Sequence, residues 1–252
     1  MFATGALAFA LAVGLAGSAS ISNAASYGNF SSPGGTVSFL NVADLNGLFG
    51  APTVSGNSLD FSPNAFEADC AASASCPPTP HSVSDTLILD IDATAGNFID
   101  TIMLSEAGDT TLASFLNAFA ATTVVADVFI DVLEIDGIAV NGINANAQMA
   151  FTQNGEYESN DEGVGTHIWS GFLSIDVGSV IAGSGGSGNA TLVRISLANT
   201  LTAFAESGAA ARIEKKDIDG LAITVVPEPG TALLMGLGLI GLAASNHRIA
   251  RR

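Results

Sequence analysis

Apolar residues recur at every second position through much of this chain, and clusters of Gly, Ser, Asn and Asp separate the runs. Leu87, Leu89 and Ile91 alternate with Ile88, Asp90 and Asp92. Val128, Ile130 and Val132 share one parity within the β-branched run 124–135, and Trp169, Leu173, Ile175 and Val177 share another. Val193, Ile195, Leu197 and Leu201 repeat the pattern against Arg194 and Ser196, and Thr36–Val42 reads as a first strand. A period of two places one residue set on one face of a strand, so each run has one face to bury. Several such runs with turn punctuation predict an all-β chain: a single β-sandwich or jelly-roll-like domain over residues 25–226. Leu112, Phe115, Leu116 and Phe119 fall at helical spacing and leave room for one short helix, although a buried strand fits so short a run equally well.

Turn chemistry supports the β reading. Asp136-Gly137, Asn141-Gly142 and Asp219-Gly220 are the dipeptides of tight hairpins. The first and third lie in similar contexts, EIDGIAV at 134–140 and DIDGLAI at 217–223. The same hairpin chemistry used twice accounts for that likeness without a duplication.

The two ends differ from this middle. The run 6–16 (ALAFALAVGLA) is unbroken and apolar, and Ser22-Asn23-Ala24 after it fits a small-residue cleavage site. Residues 1–24 therefore read as a secretory signal peptide for the Sec machinery, cleaved after Ala24, with Ala19 as the alternative position. The run lacks the usual preceding Lys or Arg, so the α-amino group or an upstream start must supply the positive charge. At the other end, Pro227-Glu228-Pro229 is followed by an apolar segment at 231–244 and a basic tail at 248–252. As a helix the apolar segment is about 21 Å long, which flanking residues and local thinning of a bilayer can accommodate. Arg248, Arg251 and Arg252 then anchor the topology on the cytoplasmic side and leave Pro227–Pro229 at the outer face of the inner membrane. The prolines block helix continuation and hold the motif extended.

This order of Pro227, Glu228 and Pro229, short apolar helix and arginine cluster resembles the PEP-CTERM sorting signal of exported bacterial proteins. The resemblance covers residues 227–252. It implies recognition by an exosortase, a polytopic membrane enzyme that cleaves near the motif, with Glu228 as a recognition element rather than a catalytic group. It also implies a Gram-negative setting in which exopolysaccharide is made. The stretches Tyr27–Phe30 and Ile213–Asp217 resemble exported domains that carry this signal, a domain type with no assigned activity.

Segmenting the charge sharpens what the body can meet. The chain carries a formal net charge of −17, yet residues 25–226 hold 23 of its 24 acids and four of its seven bases, for a net −19. Such a body would repel a phosphate backbone, so nucleic acid is excluded as a partner. A hydrophobic content of 48% and a mean hydropathy of +0.45 exclude an acidic disordered tail, and part of that hydropathy belongs to the ends.

Candidate chemistry is sparse. Cys70 and Cys76 lie in a Ser/Ala/Pro-rich loop, and in an oxidising compartment they are expected to form a disulfide. Their spacing is wrong for a C-x-x-C metal bite, and their pairing leaves His81 no thiolate partner. No G-x-S-x-G occurs. G-x-G-x-x-G at Gly183, Gly185 and Gly188 is a linker pattern, without the strand before it and helix after it that a nucleotide needs. Glu156, Glu158, Asp161 and Glu162 crowd one segment, EYESNDE. They are a candidate Ca²⁺ site, with Asp90/Asp92 and Asp217/Asp219 as contributing pairs; a solvated acidic loop is the simpler account. Position twelve of an EF-hand frame would be Trp169, so this is no EF-hand. No other cofactor is expected.

The function expected from these features is a noncatalytic exported envelope or extracellular-matrix protein. It is membrane-anchored as a precursor with its body in the periplasm, then released to the surface and associated with exopolysaccharide. The alternatives are a carbohydrate- or Ca²⁺-binding module, with Trp169 or Tyr157 as sugar contacts, and a secreted hydrolase with paired carboxylates across a cleft.

Overall fold

The computed structural model describes residues 24–63, 65–71, 73, 75–115, 117–216 and 220–226. The signal-peptide segment, the Pro227–Pro229 motif, the 231–244 segment, the arginine tail and the Asp217/Asp219 pair lie outside these residues, as does Leu116. No helix among the described residues is long and apolar enough to cross a membrane.

Two antiparallel sheets form a sandwich with the core between them. The first takes the order β1 (Ala25–Ser31), β2 (Val37–Asp44), β6 (His81–Ala93), β13 (Ala190–Ala205), β8 (Ala120–Ile135), and the far edge of β8 is shared by β9 (Ile138–Gln148) and β11 (Glu156–Glu158). The second takes the order β10 (Ala150–Phe151), β12 (Gly165–Asp176), β7 (Thr101–Ser114), β15 (Leu221–Val226), β4 (Ser58–Phe61), β3 (Thr53–Ser55). In that sheet β14 (Ala209–Lys215) pairs with β7 and with β5 (Glu67–Asp69). The alternating runs bury the parity expected of them: Leu87, Leu89, Ile91, Val128, Ile130, Val132, Val193, Ile195 and Leu197 all enter the core.

Several expectations are corrected. The chain enters the first sheet through β1 before Thr36, an edge strand tied down by the Tyr27 hydroxyl donating to Asp44 Oδ2 at 3.0 Å. The stripe at 112–119 is not a helix. Leu112 belongs to β7, whereas Phe115 sits in the turn after it and is exposed. Among the described residues the one α-helix is α1 (Val177–Gly183), started by Asp176 Oδ1 accepting from the Ser179 N–H at 2.8 Å. Val177 therefore leaves the strand face of Trp169 but still buries, together with Ile181.

Of the two turn dipeptides that lie wholly within the described residues, only the first makes a hairpin. Asp136 (φ 51°) and Gly137 (φ 77°) join β8 to β9 with Ile135 opposite Ile138. Asn141-Gly142 instead lies within β9, where the register against β8 shifts between Val132 and Glu134, so it forms a bulge. Asp219 lies outside the described residues, but the strands on either side of it, β14 and β15, pair with β7 and not with each other. Both run along one edge of β7, β14 opposite residues 108–114 and β15 opposite 101–106. Between them Ala107 bonds the Lys216 N–H at 3.0 Å and donates to Gly220 O at 3.4 Å.

Candidate functional site

The acidic segment is made of β11, which carries Glu156 and Glu158, and the turn that follows it, which carries Asp161 and Glu162. The Glu162 side chain accepts from the Glu158 N–H at 2.6 Å, and Glu156 and Asp161 are exposed. Among the described residues no three His, Cys, Asp or Glu side chains are grouped so as to hold a metal ion, so Glu156, Glu158, Asp161 and Glu162 are not brought together as a calcium cage. Of the four, Glu162 lines an open groove of about 650 Å³ with Thr152, Tyr157, His167 and Ile168.

Neither aromatic expected to meet sugar is available. Trp169 is fully buried, opposite Gly108 on β7. Tyr157 is buried too, and its hydroxyl donates to Thr152 O at 2.8 Å. Burial raises the Tyr157 pKa, the Thr152 hydrogen bond opposes this, and nearby Glu162 adds to the rise. Cys70 and Cys76 form the expected disulfide, with Cα atoms 5.3 Å apart. His81 is engaged by the Asp69 backbone, its Nδ1 lying 2.9 Å from Asp69 O. Gly183 closes α1 and Gly185 and Gly188 lead from it into β13, the reverse of the strand-to-helix order of a nucleotide loop.

The outer face of the first sheet holds what the alternation hid. Phe129 occupies a solvent position of β8 and is 49% exposed. Asn146 of β9 and Ser196 of β13 lie directly opposite it on its two sides. Asp127, paired to Gln148 by a 3.2 Å hydrogen bond, and Asp131, opposite Asn144, flank it along the strand. A shallow groove of about 270 Å³ runs between Phe129, Asp131, Asn144 and Asn146. The period-two rule could have flagged Phe129, since it is the one aromatic on the outward parity of β8.

One row across this face is a charge ladder. Arg194 lies opposite Asp131 on one side and Asp90 on the other. Its Nε and one terminal nitrogen donate to Asp90 at 2.7 and 3.0 Å, and Asn41 adds a bond of 2.9 Å. Burial works to raise the Asp90 pKa, but the hydrogen bonds from Arg194 and Asn41 and the Arg194 charge hold it below the ordinary carboxylate value. Asp90 is thus a structural partner of Arg194 rather than half of an Asp90/Asp92 cation site.

The interior carries a second polar group. Glu106 of β7 and Lys215 of β14 are ion-paired at 2.7 Å with both side chains fully buried. Asn199 of β13 donates from Nδ2 to both Glu106 oxygens, at 2.8 and 2.7 Å. Burial lowers the Lys215 pKa, and the charge and hydrogen bonding of Glu106 oppose that. These three residues escaped sequence analysis, because each comes from a different strand and no spacing links them.

A PEP-CTERM protein-sorting motif matches residues 225–248. Such a motif marks an exported, membrane-anchored precursor that an exosortase processes. No curated protein matches the chain. Among solved structures, the chain is similar to TmCBM61 in complex with beta-1,4-galactotriose, at 10% identity and a TM-score of 0.23, covering 76% of this chain and 83% of that one. It is also similar to the enzymatically active domain of bacteriophage CBA120 tailspike protein 4, at 12% identity and a TM-score of 0.23, covering 81% of this chain and 19% of that one. Superpositions this loose carry no functional argument.

Proposed function

We propose that this chain, which carries a PEP-CTERM sorting signal, delivers a noncatalytic body that binds exopolysaccharide at the cell surface or in the extracellular matrix. The Phe129 platform carries this reading. A pyranose ring has an apolar C–H face and a rim of hydroxyls. An accessible aromatic ring offers an electron-rich face to the C–H groups, and amides and carboxylates around it take the hydroxyls. Phe129 supplies the ring, and Asn144, Asn146, Ser196, Asp127 and Asp131 supply the collar. The body's net −19 favours a neutral polysaccharide, or an anionic one bridged by divalent ions.

Affinity electrophoresis in gels containing exopolysaccharide purified from the producing cells tests this reading. The expected result is retardation of the wild-type body and loss of retardation in Phe129→Ala, with an unchanged melting temperature. Equal migration of the wild type in gels with and without polysaccharide, or undiminished retardation of the variant, overturns it.

A further inference from the structure

A fully buried ion pair is an expensive way to fill a sandwich core, since apolar residues of similar volume usually stabilise as well or better. Lys215 and Glu106 are both completely enclosed, and the surroundings of the ammonium are aromatic: the Phe49 and Phe66 ring centroids lie 5.4 Å from Nζ and that of Trp169 lies 5.9 Å away. A lysine so desolvated is driven toward its neutral, nucleophilic amine, and a carboxylate in contact can take the proton. The third member of the group is an amide. Glu106 Oε1 lies 2.7 Å from Lys215 Nζ and 2.8 Å from Asn199 Nδ2, so the two nitrogens are no farther apart than the sum of these contacts. The amide nitrogen, the atom that would leave, is the one facing Glu106. Asn199 Oδ1 is buried and has no hydrogen-bond partner, so the carbonyl end of the amide, unlike its nitrogen, is held by no hydrogen bond.

We propose that Lys215 and Asn199 join in an intramolecular isopeptide bond, with Glu106 as the catalytic proton carrier. Glu106 takes a proton from Lys215, and the Nζ lone pair attacks Asn199 Cγ. The bond Nζ–Cγ forms, Glu106 passes that proton to Nδ2, the bond Cγ–Nδ2 breaks and ammonia leaves, and Glu106 takes up the second proton that Nζ sheds as it becomes an amide nitrogen, so the carboxyl ends protonated. Nothing is oxidised or reduced and no co-reactant enters. Exclusion of water by Phe49, Phe66 and Trp169 keeps the amine from being solvated, and the fold itself supplies the proximity. The bond would run from β14 in one sheet to β13 in the other, covalently stapling the sandwich. This inference is independent of polysaccharide binding.

Mass spectrometry of the full chain, purified folded and then reduced and denatured, tests it. The expected wild-type mass is about 17 Da below that of its own termini and sequence, the loss of one ammonia, with a branched proteolytic peptide linking Lys215 to Asn199. Lys215→Met and Glu106→Gln should restore the full mass. Asn199→Asp should still link, by loss of water instead of ammonia. A wild-type protein that melts cooperatively yet yields its full mass and two separate linear peptides overturns the proposal, whatever the variants do.

Discussion

The indole of Trp169 occupies the space above Gly108, the residue directly opposite it across β12 and β7. A Cβ at 108 would meet the indole ring and also the Glu214 backbone oxygen from β14 on the other side, so neither neighbour can yield cheaply. Gly108→Ala should therefore destabilise the body by about 2–3 kcal/mol, in the range of overpacking a filled core. Chemical denaturation of the two proteins, compared by midpoint and slope, checks this. A variant with a wild-type midpoint would show that the sheet has slack at this crossing.

The Asp90–Arg194 contact predicts a pH dependence. The folded-state pKa of Asp90 lies below its ordinary value of 3.8, so folding releases protons through this residue. Its stabilisation is fully present above 3.8 and disappears as the pH falls through the lower, folded-state value. Arg194 is 47% exposed, so solvent screens the pair, and Asp90→Asn should lose only about 1–2 kcal/mol at neutral pH. The gap between wild type and variant in denaturation free energy should close as the pH drops below 3.8. A gap that stays constant down to that range would remove the carboxylate charge from the account.

What the alternation revealed and what it hid have one physical origin. In β8 and β13 every inward position from Val124 to Val132 and from Val193 to Leu197 is apolar or small, so the period is clean and the strands are legible. β7 was not legible, because its inward positions run Ile102, Leu104, Glu106, Gly108, Thr110, Leu112. Glu106 meets Lys215, Gly108 makes room for Trp169, and Thr110 bonds Thr122 across the sandwich at 2.6 Å. Each departure from apolar alternation answers a partner distant in sequence, which local patterning cannot contain. The same holds for the two aromatics offered as sugar contacts. Trp169 follows the parity of its strand into the core, whereas Phe129 breaks its own and stays outside.

The Cys70–Cys76 bond closes a short loop, with a sequence separation of six, and Cys70 itself is packed into the core. By loop-closure entropy so small a ring contributes about 2 kcal/mol. The double variant Cys70→Ser, Cys76→Ser should lose about that much and keep its fold, since β5 remains paired to β14 through residues 67–69. Thermal melts of wild type with and without reductant should show a matching drop. A larger loss would mean that the loop organises β5 and not only itself.

The sorting motif begins inside the fold. Its match starts at residue 225, while β15 continues to Val226, so the last two strand residues are also the first two of the signal. Val225 is buried opposite Ile102, and Val226 pairs with Thr101. β15 fills the space between β7 and β4, contributing Leu221, Ile223 and Val225 to the core. A chain ended after Val226 therefore keeps every described strand of the sandwich, whereas one ended after Gly220 opens β7 and strands β3 and β4. The first truncation should melt within about 1 kcal/mol of the longer chain, and the second should lose cooperative unfolding, as expected for removal of three large core side chains. In cells, replacing Pro227, Glu228 and Pro229 with alanine should leave the tail uncleaved and the body membrane-bound, detected as retention of Arg252 in the mass spectrum. If the motif-replaced and wild-type proteins show the same C-terminus, the tail is not processed through this motif.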